Sequence, residues 1–245
     1  MTFTMLGRCE RTGEIGLSSA TTSLAVGARL GQRFRAADRE WIIASQAVAR
    51  PGLGWEAGDL LAGGLSFDAL ESELAKLDSD LSWRQLGILG SDGTSWVYTG
   101  GDNHDWKGHA TTDGAVALGN MLAGEATVSG MVATFDANPD ASLAERLLCA
   151  IEGGRDAGGQ ADENGSHQPE LSAFVRVFKT DGDAYIYGSY GRTPVLDLRV
   201  DHDPDAVTAL RRIFEAARPL REAYEQRARA PLAYLRDSGD WETEA

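Results

Sequence analysis

The fold is decided by residues 1–9, which read MTFTMLGRC. β-Branched, aromatic and apolar residues alternate there with a period of two, a pattern typical of a strand. The charged, apolar and small-residue segments of a signal peptide do not precede it. We therefore expect a cytoplasmic protein whose fold begins at the initiator methionine, with Thr2 one cleavage away from the N-terminus.

Thr2 is a candidate nucleophile once Met1 is trimmed, and threonine is small enough for the usual cytoplasmic processing to remove Met1. A free α-amine has a pKa of about 7.7–8.0, so much of it is neutral near neutral pH. Such an amine can activate a neighbouring hydroxyl without a histidine. The alternative from the residue alone is an ordinary strand threonine. A retained Met1 would acylate the amine and disable the mechanism.

Length and charge limit the kinds of protein that this chain can be. A chain of 245 residues favours one α/β domain with its own core. A net charge of −14 argues against nucleic acid and anionic membrane surfaces as partners. No apolar run reaches the roughly 18 residues of a membrane span. We predict Cys9 and Cys149 to be buried free thiols, with a disulfide left open.

The order of predicted elements indicates the architecture. Hairpins and helix pairs alternate along the chain, which predicts an α+β fold: a four-layer αββα sandwich of two antiparallel sheets flanked by helices. The predicted strands are residues 1–9, 14–22, 40–47, 83–89, 95–99, 115–118, 171–178, 184–190 and 195–200. The predicted helices are residues 55–62, 126–135, 143–152 and 224–235, with two more that begin at Ser66 and Asp205. Residues 29–39 are predicted to be a polar stretch, and residues 100–113 and 153–169 are predicted to be irregular.

Two units follow from this order. Residues 1–218 are predicted to form the sandwich domain. Residues 219–245 are predicted to be a charged helical extension, and we expect a homo-oligomer, a dimer, with the extension at the subunit contact.

Polar groups at strand ends are the candidate site residues. Gly119 and Asn120 follow a strand and can donate hydrogen bonds to an oxyanion. An ordinary Gly-Asn turn is an equally good interpretation of these two residues. Ser45 and Gln46 end a buried strand, a position that often supplies site residues. A polar pair that is merely hydrogen-bonded at the strand end is equally compatible with the sequence. His104 and His109 lie in a stretch with aspartates, which suggests a metal site. Polar loops, however, often contain such residues by chance. We predict no metal and no cofactor.

Several stretches in order carry a resemblance to a known family. They are residues 2–3, 12–16 (TGEIG), 24–28 (LAVGA), 45–47 and 51, 59–64 (DLLAGG), 98–100, 106–109 (WKGH), 119–124 (GNMLAG), 144–148 (AERLL) and 197–201 (DLRVD). In these the chain resembles domain-of-unknown-function family 1028, a bacterial family assigned to the Ntn-hydrolase-like (N-terminal-nucleophile) superfamily. The stretches extend from residue 2 to about residue 215.

The resemblance implies an αββα sandwich, Thr2 at the nucleophile position and hydrolysis of a small amide or related C–N bond. The leading hypothesis built on it has Asn120 or nearby backbone N–H groups hold the oxyanion and Ser45 and Gln46 orient the amine or the substrate, with Gly119, Thr99 and His109 as further substrate-binding residues. The partner would be a small-molecule substrate.

Departures from the family pattern leave other functions open. Residues 21–23 (TTS) stand where a Lys or Arg is expected, Arg50 stands where Asn is frequent, and residues 163–168 (ENGSHQ) replace a basic loop. They indicate a different substrate or lost activity. The competing hypotheses are a non-catalytic binding or assembly protein on the same fold and, third, a metal-dependent hydrolase using His104 and His109.

Overall fold

The structure is a computed structural model that describes residues 1–36, 39–179 and 194–238. For residues 221, 222 and 236–238 it describes the backbone alone. In chain order the strands are β1 Thr2–Cys9, β2 Glu14–Thr21, β3 Gln32–Ala36, β4 Arg39–Ala47, β5 Arg84–Gly90, β6 Ser95–Thr99, β7 Lys107–Thr112, β8 Ala115–Asn120, β9 Gln160–Ala161, β10 His167–Gln168, β11 Ser172–Lys179 and β12 Leu196–Val200. The helices are α1 Val26–Arg29, α2 Pro51–Ala62, α3 Phe67–Leu77, α4 Glu125–Asp136, α5 Leu143–Asp156, α6 Ala206–Arg229 and α7 Pro231–Ser238.

Two antiparallel sheets form the centre of the fold. The larger has the strand order β12-β11-β2-β1-β8-β7, and the smaller has the order β3-β4-β5-β6. Strands β9 and β10 form a separate ribbon. Helices α4, α5 and α6 pack on the larger sheet, while α2 packs on the smaller one with α3 against it. The predicted α+β sandwich of four layers is confirmed.

Strand β1 shows why the layers stack in this way. Phe3 and Met5 point toward the helices, and Leu6 points toward the smaller sheet; all three are fully buried. A strand with helices on one face and a second sheet on the other must be buried on both faces, as the apolar run in residues 1–9 predicts. The sheets approach closely where Gly87 of β5 faces Leu118, since a Cβ on Gly87 would lie 3.0 Å from that side chain.

Two strands were missed by the sequence prediction. Residues 29–39 were predicted to be a polar stretch and residues 100–113 an irregular one, yet they contain β3 and β7, one edge strand of each sheet; the other two edge strands, β6 and β12, were predicted. The missed strands contain few apolar residues, so the sequence shows no apolar alternation over them. Arg35 of β3 and His109 of β7 are exposed.

Helix boundaries needed smaller corrections. Helix α2 begins at Pro51 rather than at residue 55, because proline at the first helical position has a suitable φ and needs no N–H partner. Helix α5 extends to Asp156, and β9 and β10 lie in the predicted loop 153–169. Helix α6 continues through Pro219, across the predicted boundary at residue 218. The predicted strand 184–190 lies outside the described residues. Both cysteines are free thiols; Cys9 is buried, but Cys149 is only half-buried.

Helices of the described ranges include none with the length and apolar character needed to cross a bilayer.

Candidate active site

Thr2 lies at the end of the layer between the two sheets. It is the first residue of β1, directly opposite Thr21 on β2 and Asn120 on β8. Residues directly opposite in antiparallel strands place their side chains on the same face. Thr2, Thr21 and Asn120 are therefore neighbours on the face that looks toward the smaller sheet.

Two hydroxyls converge on the first peptide bond. The Oγ1 atoms of Thr2 and Thr21 lie 3.1 Å apart. Each hydroxyl also donates to the carbonyl oxygen of Met1 at 2.6 Å. Thr2 retains only 9% of its surface, whereas Met1 is half-buried. Removing Met1 would therefore take away the acceptor of both hydroxyls and leave them facing each other.

A cavity of about 120 Å³ opens beside these hydroxyls. Thr2, Thr21 and Ser23 line it from the larger sheet and the segment after β2. Ser45 and Gln46 line it from β4, so the structure brings these two predicted site residues together with Thr2. Strand ends of both sheets thus contribute to the cavity, together with α1 and the segment before α2. Its polar lining consists mainly of hydroxyl and amide groups.

Buried amides form a network behind the cavity. Gln46 accepts from Thr4 Oγ1 at 2.6 Å through Oε1, and its Nε2 donates to Gln85 Oε1 at 2.8 Å. Asn120 Nδ2 donates to the same Gln85 oxygen at 3.1 Å. Gln85 Nε2 donates to the carbonyl oxygen of Gly119 at 2.9 Å and to Thr99 Oγ1 at 3.1 Å. Four of the predicted site residues therefore belong to this network, namely Gln46, Asn120, Gly119 and Thr99.

Three other candidate residues lie outside this network. Ser45 Oγ donates to the carbonyl of Arg50 at 3.2 Å. His109 is exposed on β7, opposite Leu118, and does not line the cavity. His104 lines a different cavity, beside Asp105 and other acidic residues. Within residues 1–36, 39–179 and 194–238, no group of three or more His, Cys, Asp and Glu side chains is arranged to hold a metal ion.

Backbone strain is concentrated around the site. In the described part of the chain, the non-glycine residues with positive φ are Ala25 (53°), Ala47 (74°) and Met121 (52°). Ala47 lines the cavity, Ala25 precedes the lining residue Val26, and Met121 follows Asn120. Each such conformation costs of order 1–3 kcal/mol and is found preferentially at functional sites.

The Met1 α-amine and Arg29 are the ionisable groups considered at the site. Burial lowers the pKa of the Met1 α-amine below its ordinary value. Arg29 of α1 is the charged side chain among the described residues that line the cavity. Thr21 and Arg29 were not predicted as site residues. The hairpin register that places Thr21 opposite Thr2 was an available signal for the first of them.

Comparisons with known proteins agree with this fold. The sequence matches the family model DUF1028, described as a family of unknown function, over residues 2–210. The chain is similar to the protein SPO2555 from Silicibacter pomeroyi, whose crystal structure carries the same family assignment. The two are 28% identical, with a TM-score of 0.72 over 88% of this chain and 85% of that one. No curated protein matches the chain significantly.

Proposed function

Because the chain belongs to the family of unknown function DUF1028, we propose its activity from the site itself: hydrolysis of a small amide or related C–N bond by an Ntn mechanism. Thr2 is the nucleophile, and removal of Met1 supplies the free α-amine. The observation that carries the proposal is the position of the Thr2 hydroxyl, which lines a cavity and lies 3.1 Å from Thr21 Oγ1.

The α-amine of Thr2 is the general base in this mechanism. It takes the hydroxyl proton as Thr2 Oγ1 attacks the amide carbon, and it returns the proton to the leaving amine. Water then hydrolyses the threonine ester and restores the hydroxyl. A half-buried Met1 already has an α-amine with a lowered pKa. In the proposal the α-amine of Thr2, at the start of the same buried strand, has its pKa lowered by the same cause.

Neighbouring groups would position the reacting atoms. Thr21 would hydrogen-bond Thr2 Oγ1 after Met1 leaves. Asn120 uses one of its two Nδ2 hydrogens on Gln85, and in the proposal the other stabilises the oxyanion. Ser45 and Gln46 would orient the substrate. The strained Ala25, Ala47 and Met121 support the proposal, because strain of this kind persists where the structure holds a functional geometry.

A β-lactone probe tests the nucleophile directly. The Met1-free protein should gain one acyl group per chain, which peptide mapping should place on Thr2. Thr2→Ala should gain none, and Thr4→Ser, which keeps a hydroxyl two residues along β1, should be labelled like the native chain. Labelling that survives in Thr2→Ala would contradict the proposal.

A non-catalytic binding protein on the same fold is the second candidate. It is favoured by the two hydrogen bonds to the Met1 carbonyl, which give the uncleaved N-terminus a defined place in the structure. This candidate predicts that Met1 is retained and that the β-lactone forms no adduct.

A further inference from the structure

Arg29 stands out at the edge of the cavity because of its charge. Among the described residues that line the cavity, no Asp or Glu accompanies it, and its other polar neighbours are hydroxyls and Gln46. Resting on the proposed function, we infer that the substrate is a small amide that also carries a carboxylate, and that Arg29 binds this carboxylate.

The guanidinium of Arg29 has donors to spare. One of its nitrogens, Nη2, donates to the carbonyl oxygen of Leu24 at 2.5 Å. In the described ranges no carboxylate forms an ion pair with Arg29, although most of the arginines there have such a partner. A guanidinium has five N–H donors in a planar fork that suits a carboxylate. Most of these donors have no hydrogen-bond partner among the described residues, and the Arg29 side chain is exposed.

The segment that carries Arg29 is held firmly against the larger sheet. Ala25 N donates to the carbonyl of Asp201 at 2.9 Å, and Val26 N donates to Ser172 Oγ at 3.1 Å. Arg176, which is nine-tenths buried, donates to the carbonyl of Gly27 at 2.6 Å and forms an ion pair with Asp197. These bonds fix α1 from several sides. The backbone that carries Arg29 is therefore held in place, and its exposed side chain extends to the cavity from this fixed base.

Charge and size together define the ligand class. The protein has a net charge of −14, so its overall field does not attract an anion. Recognition of a carboxylate then depends on the local cation and the neutral donors around it. The cavity volume of about 120 Å³ suits a short molecule, with its amide at Thr2 and its carboxylate at Arg29.

Short dicarboxylic acid monoamides provide matched probes. Malonamate, succinamate and glutaramate each carry one amide and one carboxylate, and the corresponding diamides replace the carboxylate by a neutral amide of similar size. The measured quantity is ammonia released by the Met1-free protein. For the monoamide that fits best, we expect kcat/KM to exceed that of its diamide by about 10- to 100-fold, the equivalent of a charge-assisted hydrogen-bonded contact.

Variants assign this preference to Arg29. Arg29→Gln should abolish the difference between monoamide and diamide, and Arg29→Lys should retain part of it. Arg11→Gln is the matched control. It makes the same change in net charge at the β1–β2 turn, about 24 Å along β1 from Thr2, and should leave the preference unchanged.

The outcomes separate this inference from the proposed function. Equal turnover of monoamides and diamides would overturn the inference and leave the hydrolase standing. If no amide is hydrolysed, calorimetric titration with succinate decides the inference alone. Binding that Arg29→Gln weakens at least about tenfold, with Arg11→Gln unaffected, would support the anion site without the hydrolase. Binding that is absent, or that Arg29→Gln does not change, would overturn it.

Discussion

The hydroxyl oxygens of Thr2 and Thr21 lie 3.1 Å apart on neighbouring strands, and the register of the first hairpin puts them there. The same register pairs Leu6 with Leu17 in the layer between the sheets. A slip of one residue would turn the whole set of β2 side chains to the opposite face. The packing of the inter-sheet layer and the geometry at Thr2 therefore depend on one another.

Substitutions of Thr2 should distinguish the contribution of its hydroxyl to activity from its contribution to stability. Thr2→Ser keeps the nucleophile and should retain measurable amide hydrolysis in the Met1-free protein. Thr2→Ala removes the nucleophile and should lower kcat by at least about 10³-fold. Steady-state kinetics measure this, with urea unfolding as the control. Equal turnover of Thr2→Ala and the native chain, at equal stability, would refute the mechanism.

Thr21 should act by positioning Thr2. Thr21→Val keeps the shape but removes the hydroxyl, so we expect kcat to fall about tenfold, the equivalent of one hydrogen bond. Thr21→Ser should restore most of it. The readout is kcat together with β-lactone labelling, which should become slower but remain on Thr2. A Thr21→Val protein with the native labelling rate would show that Thr21 has no such role.

The pH profile should report the α-amine. A base acts in its neutral form, so kcat/KM should rise with pH through the pKa of the amine. Burial lowers the pKa of the Met1 α-amine, and we expect the same cause to act on the α-amine of Thr2 at the buried end of β1, so the midpoint should lie below the ordinary value of about 7.7–8.0. The measurement is kcat/KM against pH, with the unfolding midpoint recorded at each pH. A midpoint above that ordinary value would contradict the assignment of the base.

The amide network should matter for stability. Gln85 is fully buried and contacts Gln46, Asn120, Thr99 and Gly119. Gln85→Leu leaves several of these groups without a partner, which should lower the free energy of unfolding by about 1–3 kcal/mol or more.

Thr99→Val is the matched control for this change, since it removes one hydrogen bond of the same network at a half-buried position. Its cost should be no more than about 1 kcal/mol. Urea unfolding compares the two variants. Equal costs would indicate that the network does not act as a unit.

Central elements could be predicted from the sequence because their faces are uniform. Strand β1 is covered on both sides, so its apolar run identifies it, and the turn after Cys9 predicts its hairpin partner. Strands β3 and β7 could not be predicted in the same way. Each contains few apolar residues, and charged or polar residues such as Arg35 and His109 interrupt the alternation there.

The candidate site could be predicted from the sequence only in part. Thr2 was singled out because trimming of Met1 would make it N-terminal, and Ser45 and Gln46 because they end a buried strand; the structure places all three around one cavity. Arg29 was not singled out, since its place at the cavity depends on how Arg176 and Ser172 hold α1 on the sheet. Contacts between segments about 150 residues apart leave no local pattern in a sequence.

The proposed mechanism requires that the mature chain begins at Thr2. Intact-mass and N-terminal peptide mass spectrometry of the protein, expressed with its own start codon and no tag, measures this directly. We expect a chain that lacks Met1 and has a free α-amine on Thr2. A chain that quantitatively retains Met1 would contradict it.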